Sequence, residues 1–151
     1  SVLNTNARAA LRKGYMVTKY SYSSMAPAGQ RMLRLVDPDG IPAALLWRDE
    51  RKDRPLVSYN SQLDSQLRPG ARDKKSYVVL SEIKELRRGC QTGILLQRAS
   101  GNRLDPRCCL SVVTAHRTLD LSTPSQQLRD AILGDLRALL QSEGVKFKYV
   151  A

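Results

Sequence analysis

Basic side chains of the kinds that bind phosphate cluster on the first hairpin that the sequence predicts. Lys19, Arg31, Arg34 and Arg48 all lie within residues 14–48, and the turn-rich stretch between Lys19 and Arg31 predicts that these two flank one loop. An ammonium and a guanidinium that converge on a phosphate make charge-assisted hydrogen bonds, and the planar guanidinium can bind two oxygens at once. We therefore interpret Lys19 and Arg31 as the main candidate site, for an anionic, phosphate-bearing ligand.

The charge balance favours the same kind of partner. The chain of 151 residues, long enough for one domain, carries 25 Lys and Arg against 14 Asp and Glu, a net charge of +11. Such a charge favours phosphoinositide headgroups, a membrane leaflet or nucleic acid. Three cysteines make no disulfide framework and indicate a reducing compartment, the cytosol. No apolar run approaches the roughly 18 residues of a membrane span, and the initial Ser suggests a segment of a longer protein.

The clearest element that must support this site is an amphipathic helix near the C-terminus. Thr123 is a suitable N-cap, Pro124 suits the first helical position, and Gln126 stands three residues after the cap, as in a capping box. Gly144 supplies a stop signal. Apolar residues between them recur at three- and four-residue spacing, which predicts one buried side. The apolar side is Leu128, Ala131, Ile132, Leu133, Leu136, Leu139 and Leu140, and the charged side is Arg129, Asp130, Asp135 and Arg137.

Short strands account for most of the remaining sequence. Residues of high β-propensity, period-two alternation and turn residues such as the Asp-Pro-Asp-Gly segment predict them. The strands are expected at 15–24, 31–36, 43–47, 77–80, 83–87, 93–98, 109–114 and 118–121, with a long loop at 54–76. Parity within the second strand places Arg31 and Arg34 on opposite faces. Strands followed by one capped helix predict a mainly β, antiparallel barrel or sandwich that the helix closes.

Six segments in a characteristic order and spacing cover residues 11–140, nearly the whole chain. They are LRKG at 11–14, Lys19 with Arg31 across the first loop, LLWR at 45–48 leading to Arg51 and Lys52, SEIKELRRG at 81–89, RCCLSVV at 107–113 and TLDL at 118–121, which leads into the final helix. With these segments the chain resembles the pleckstrin homology domains, most closely the one at the N-terminus of delta-type phosphoinositide-specific phospholipases C. The resemblance implies a seven-stranded antiparallel barrel or sandwich, with a C-terminal α-helix at one end and an anionic-headgroup site at the other. It divides the chain into an N-terminal flank (1–10), the domain (11–143, with the inserted mobile loop 54–76) and a C-terminal tail (144–151).

The resemblance also assigns headgroup ligands on the first hairpin and after the third strand. The assigned residues are Lys19, Arg31, Arg34, Arg51 and Lys52. Two positions that are basic in phosphoinositide-selective members are held here by Ser21 and Gly29. This thinner ligand set fits a simpler lipid, because one phosphomonoester carries up to two charges and can be held by one Lys and one Arg. Phosphatidic acid is therefore the expected ligand, with a phosphoinositide as the alternative.

Aromatic and apolar residues around the first loop have two interpretations. Tyr20, Tyr22 and Met25 can insert among lipid headgroups, as interfacial side chains do, or the tyrosines can pack against the barrel. Trp47 is expected in the core. His116 is a lone histidine in a predicted hairpin turn, and no Cys or His stands at zinc-ligand spacing, so no metal or other cofactor is expected.

Three classes of function compete for this sequence. We expect a noncatalytic, monomeric module that is peripheral on the cytosolic face of membranes and binds anionic phospholipid there. Nucleic-acid binding is an alternative that lacks an aromatic stacking motif, and a protein-binding domain of the same fold stays open because fold does not fix ligand. An enzyme is not expected, because the sequence holds no paired carboxylates, nucleophile elbow or phosphate-binding glycine loop.

Overall fold

A computed structural model describes residues 2–20, 28–48, 76–100 and 104–151 of the chain. Within these ranges, eight strands form one mixed sheet, accompanied by three α-helices. The strands are β1 (Tyr15–Tyr20), β2 (Gly29–Val36), β3 (Ala44–Arg48), β4 (Tyr77–Val79), β5 (Ile83–Arg88), β6 (Cys109–Thr114), β7 (Thr118–Ser122) and β8 (Lys148–Val150), and the helices are α1 (Val2–Lys13), α2 (Gly93–Ala99) and α3 (Gln126–Ser142). The expected fold class, mainly β with a C-terminal helix, is confirmed, and the architecture is consistent with a pleckstrin-homology-like fold.

The strand order in the sheet is β4-β3-β2-β1-β7-β6-β5-β8. The paired neighbours are antiparallel, except for β5 and β8, which run parallel. Pairing of β1 with β7 joins the first hairpin to the second half of the chain. The antiparallel course brings the ends of β1, β3 and β6 to one end of the sheet, away from α3. We call this the loop end, and it comprises residues 19–20, 29–31, 47–48 and 114–118.

The main core lies between one face of the sheet and α3. Alternate strand residues supply its sheet side, and the apolar stripe of the helix supplies the other. Its fully enclosed members include Val17, Leu33, Leu45, Leu110 and Leu121 from strands and Ile132, Leu136 and Leu139 from α3. Burying each such side chain stabilises the fold by about 1.5–3 kcal/mol. Trp47 is 3% exposed in the same cluster, which confirms its expected place in the core.

Helix α3 ends as predicted but begins two residues later than its expected cap implies. Ser125 is the N-cap, because its hydroxyl accepts a hydrogen bond from the Leu128 amide at 3.1 Å. The Thr123 hydroxyl, predicted in that role, instead lies 2.6 Å from the Ser125 carbonyl and 3.3 Å from the Cys108 carbonyl, to either of which it can donate. Gly144 has a φ of 70°, and its amide closes the last turn at 3.1 Å from the Gln141 carbonyl.

Two residues of α3 lie on the side opposite to the one predicted. Arg129, expected among the exposed charges, is 2% exposed, and its guanidinium donates to the Cys109 carbonyl at 3.1 Å. A buried arginine is tolerated here because its own donors have partners, the Cys109 carbonyl and the Asp130 carboxylate at 2.7 Å. Ala131, expected in the apolar stripe, is exposed.

The strand expected at 93–98 is wrong, because these residues belong to α2. The Thr92 hydroxyl caps this helix by accepting from the Leu95 amide at 3.3 Å, and Leu95 is fully buried. A short run of Ile and two Leu residues is compatible with either a strand or a helix, so the cap decides the outcome.

Helix α1 and strand β8 lie in the segments that were expected to flank the domain. Helix α1 packs against α3 and β2 and buries Ala7 and Leu11. Strand β8 was not among the expected strands; through parallel pairing with β5 it gives the sheet eight strands, one more than the family resemblance implies. In the described ranges, no helix is both long enough and apolar enough to span a membrane.

Candidate functional site

Lys19 and Arg31 lie side by side at the loop end. In the β1–β2 register, Arg31 is opposite Val17, and Lys19 is opposite Gly29. Directly opposed residues of an antiparallel pair point to the same face, and so do alternate residues along each strand. Because Val17 is buried in the core, both cations emerge on the core side of the sheet, where each is half-buried. The structure thus brings together the two residues that the sequence assigned to the main site.

The guanidinium of Arg31 folds back along its own strand towards Lys19. Its Nη1 donates to the Gln30 carbonyl at 2.8 Å. A Cβ placed on Gly29 would lie 2.5 Å from the same nitrogen, so the guanidinium occupies the space above that glycine. Gly29 is the residue opposite Lys19, and directly opposed Cβ positions are about 4.5–5.5 Å apart. The ammonium and the guanidinium can therefore reach one shared volume above the β1–β2 pair.

Arg34 lies on the other face of β2, as parity predicted. Its Cγ is 2.8 Å from the position that a Cβ on Gly14 would take, and its side chain is exposed. The sheet separates Arg34 from the shared volume of Lys19 and Arg31, so one small ligand cannot contact all three. Four other predicted residues lie outside the described residues: Tyr22, Met25, Arg51 and Lys52.

Tyr20 packs against the sheet next to α2. Its hydroxyl lies 2.9 Å from the Ser122 hydroxyl, and the Arg98 guanidinium carbon lies 5.2 Å from the ring centroid. These contacts correspond to the interpretation in which the tyrosine packs on the barrel. Insertion of Tyr20 among headgroups stays a prediction.

Arg117 is a further cation at the loop end, and the sequence did not indicate it as a ligand. Its guanidinium carbon lies 4.9 Å from the centroid of the Trp47 ring. The Thr114 hydroxyl holds the turn by accepting from the Arg117 amide at 3.0 Å. Burial lowers the pKa of the guanidinium from its ordinary value, but arginine stays charged. The position of Arg117 depends on contact between β3 and the β6–β7 turn, which no local spacing in the sequence reveals.

A buried carboxylate, Asp120, influences the electrostatics around Lys19. It accepts hydrogen bonds from the Thr92 hydroxyl at 2.6 Å and the Ser111 hydroxyl at 2.8 Å. Burial raises the pKa of Asp120, while these hydrogen bonds and the positive charges of Lys19 and Arg87 oppose the increase. The Asp120 carboxylate is thus held by two neutral hydroxyls, one at the cap of α2 and one in β6.

The described groups at the loop end offer oxyanion binding. An ammonium supplies up to three donors and a guanidinium five, and neither accepts hydrogen bonds. Elsewhere, burial raises the pKa of the Cys90 and Cys109 thiols, which are therefore protonated and weak nucleophiles at neutral pH. Within the part of the chain that the structure describes, no three His, Cys, Asp or Glu side chains are grouped to hold a metal ion.

Comparison with known proteins shows weak structural similarity and no match in sequence. No family model and no curated protein sequence matches this chain. The solved structure of inner membrane complex sub-compartment protein 3 from the apicomplexan Toxoplasma gondii is similar, with a TM-score of 0.48 and 10% sequence identity. The similarity covers 95% of this chain and 87% of that one. At this level it assigns neither a family nor a function to the chain.

Proposed function

We propose that this chain is a noncatalytic module that binds anionic phospholipid headgroups at its loop end and is thereby peripheral on the cytosolic face of membranes. One observation carries the proposal: Lys19 and Arg31 share the core-side face of adjacent strands, with the Arg31 guanidinium above the residue opposite Lys19. Two cations so placed suit the oxygens of one phosphate. The net charge of +11 adds a general attraction to anionic membranes, about 1 kcal/mol for each basic residue near the surface.

Phosphatidic acid is the ligand that we propose for this site. Its headgroup is a phosphomonoester with up to two negative charges, by analogy with phosphorylated side chains, and so it matches one ammonium and one guanidinium. A phosphoinositide with several phosphates calls for further cations, whereas Gly29 stands opposite Lys19. The thin ligand set also resembles that of the acylated pleckstrin homology protein of apicomplexan parasites, a lipid-anchored sensor of phosphatidic acid.

Cosedimentation with liposomes tests this proposal. Vesicles that contain phosphatidic acid, phosphatidylserine or a bisphosphorylated phosphoinositide are matched for total charge, at about 0.15 M salt, where the Debye length is about 8 Å. We expect the monomeric protein to prefer phosphatidic acid. Preference for the phosphoinositide would show that phosphatidic acid is the wrong ligand. Equal binding to all three vesicle types would show that binding depends only on the total membrane charge. Absence of binding would contradict the function and favour a nucleic-acid or protein partner.

Charge reversal at Arg31 tests the site itself. Arg31→Glu should weaken binding to phosphatidic acid vesicles about 10- to 100-fold, because charge-assisted hydrogen bonds are lost. Lys13→Glu is the matched control, since it lowers the net charge equally but lies at the end of α1, exposed and away from the loop end. Its binding should stay within about twofold of the wild type, as expected for screened charges. Equal losses in the two variants would contradict a defined site.

A further inference from the structure

Gly29 lacks the one atom that would collide with the Arg31 guanidinium. A Cβ at position 29 would lie 2.5 Å from Nη1, 3.2 Å from Cζ and 3.2 Å from Nη2 of Arg31. All three nearest atoms therefore belong to one side chain, and they are its charged end. The φ of Gly29 lies outside the left-handed region, unlike the φ of 100° at Gly14, so the backbone at position 29 accepts an alanine.

The space left by the missing Cβ at position 29 lets the Arg31 guanidinium lie close to Lys19. The guanidinium lies above the residue opposite Lys19, and Nη1 is anchored on the Gln30 carbonyl at 2.8 Å. A guanidinium has five N–H donors, so one bond to a carbonyl leaves others to bind oxygens of a ligand. A side chain at position 29 would occupy the same volume and push the guanidinium away from Lys19.

We infer that Gly29 is a positioning residue that places the Arg31 guanidinium beside Lys19 and so builds a site for a single phosphomonoester. The inference rests on the proposed function and deepens it. A third cationic side chain at position 29 and the folded conformation of Arg31 exclude each other, because both need the space above Gly29. The ligand class is therefore one phosphomonoester group, whether it belongs to a lipid headgroup or to a small soluble molecule.

Gly29→Ala tests this role with the smallest possible change. We expect it to weaken binding to phosphatidic acid vesicles about three- to tenfold, a part of what a charge-assisted hydrogen bond contributes. The thermal unfolding midpoint should not fall. Gly134→Ala is the matched control, because a Cβ there meets no atom within 4 Å and the residue lies in α3, away from the loop end. It should bind as the wild type does.

A double-mutant cycle with Arg31→Gln separates positioning from a general structural effect. If Gly29 acts through the guanidinium, Gly29→Ala should cause no further loss once Arg31 is Gln. The same loss in both backgrounds would overturn the inference. Titration with glycerol 3-phosphate provides the soluble arm, and the loss caused by Gly29→Ala should match that on vesicles. A loss on vesicles alone would mean that residue 29 contacts the membrane rather than positioning Arg31, which would also overturn the inference.

Failure of the inference and failure of the proposed function give different results. If Arg31→Gln binds phosphatidic acid vesicles normally, the proposed site is wrong, and the role of Gly29 is wrong with it. If Arg31→Gln weakens binding but Gly29→Ala does not, the site stands and the positioning role is wrong.

Discussion

Arginines at the two ends of the sheet have different surroundings. We call the opposite end, where Asp37 follows β2 and Glu143 follows α3, the helix end. There, Arg12 donates two hydrogen bonds to Asp37, at 2.7 and 2.9 Å, and Arg8 donates to Asp37, at 3.0 Å, and to Glu143. At the loop end, Arg31 donates to the neutral carbonyl of Gln30. The ion pairs of the helix end tie α1 to the end of β2 and to α3, so they contribute to folding. The cation at the loop end is the one that we propose for ligand binding, and residue type alone does not distinguish it from the arginines of the helix end.

Two aspartates show the same contrast in their pKa values. The arginines around Asp37, chiefly Arg12, lower the pKa of that carboxyl, mainly through hydrogen bonding and with some opposition from burial. Burial raises the pKa of Asp120, whose hydrogen-bond donors are the hydroxyls of Thr92 and Ser111. A carboxylate paired with arginines stabilises the fold in its ionised form, whereas burial disfavours the ionised form of Asp120 and its two hydroxyl donors offset only part of that effect.

Asp37→Asn should give the largest change in stability. Loss of the charge weakens bonds from two arginines, and we expect unfolding to become easier by about 1–2 kcal/mol at pH 7, allowing for the solvent exposure of Arg12. Urea denaturation measures this. Asp39→Asn, in the same turn but exposed, is the control and should change stability by less than about 0.5 kcal/mol.

The pH dependence of Asp37→Asn provides a second readout with a defined sign. The folded pKa of Asp37 is lower than its unfolded value of about 3.8, so its contribution is complete above that value and is lost as pH falls through the folded pKa. The wild type and Asp37→Asn should therefore converge in stability at acid pH. A stability difference that stays constant across this pH range would contradict the ion pairs at the helix end. Reduced lipid binding by a folded Asp37→Asn protein would contradict the separation of folding and ligand-binding roles between the two ends.

Asp120→Asn should show the opposite dependence on pH, with a smaller effect. Because the folded pKa of Asp120 is raised above 3.8, the wild type loses stability as pH rises through the interval between the two values. Asparagine does not titrate, and its carbonyl can still accept from Thr92 and Ser111. The stability of Asp120→Asn relative to the wild type should therefore increase with pH over that interval. Urea denaturation from pH 3 to 8 measures this, and a relative stability that falls with pH would contradict the assigned environment.

Long periodic elements of this fold could be predicted from the sequence, and short ones could not. The leucine stripe of α3 spans four turns, so an error at its cap or at Arg129 left the element itself correct. Helix α2 has seven residues, too few for a period to appear, and depends on a cap at Thr92. Helix α1 buries Ala7 and Leu11 against α3 and β2, a contact that its local sequence does not express. Tertiary packing therefore decides these shorter segments.

The candidate site divides in the same way. Lys19 and Arg31 could be paired from the sequence because they flank one hairpin, and parity within β2 correctly separated Arg34 from Arg31. The position of the Arg31 guanidinium above Gly29 is visible only in the structure, since the sequence shows only that residue 29 is a glycine. Placement of Arg117 over Trp47 joins parts of the chain that are distant in sequence, so no motif could have predicted it.

Arg117→Gln should cause the smallest loss of ligand affinity, and its main effect should be on the emission of the neighbouring Trp47. Trp47 is the only tryptophan of the chain, so its emission reports on the loop end. We expect glycerol 3-phosphate to change this emission in the wild type, because an oxyanion held by Lys19 and Arg31 alters the field around the neighbouring guanidinium. Arg117→Gln should abolish most of the emission change while binding weakens only about two- to fivefold, as for a charge that acts through space.

Arg137→Gln is the matched control for Arg117, because its guanidinium carbon also lies over an aromatic ring, 4.1 Å from the centroid of Tyr149. That pair joins α3 to β8, away from the loop end, so this variant should keep both the affinity and the emission change of the wild type. If saturating ligand leaves Trp47 emission unchanged in the wild type, the ligand binds away from the loop end. If Arg137→Gln reduces binding as much as Arg117→Gln does, the two ends do not differ in function, and the contrast between paired and ligand-binding arginines is wrong.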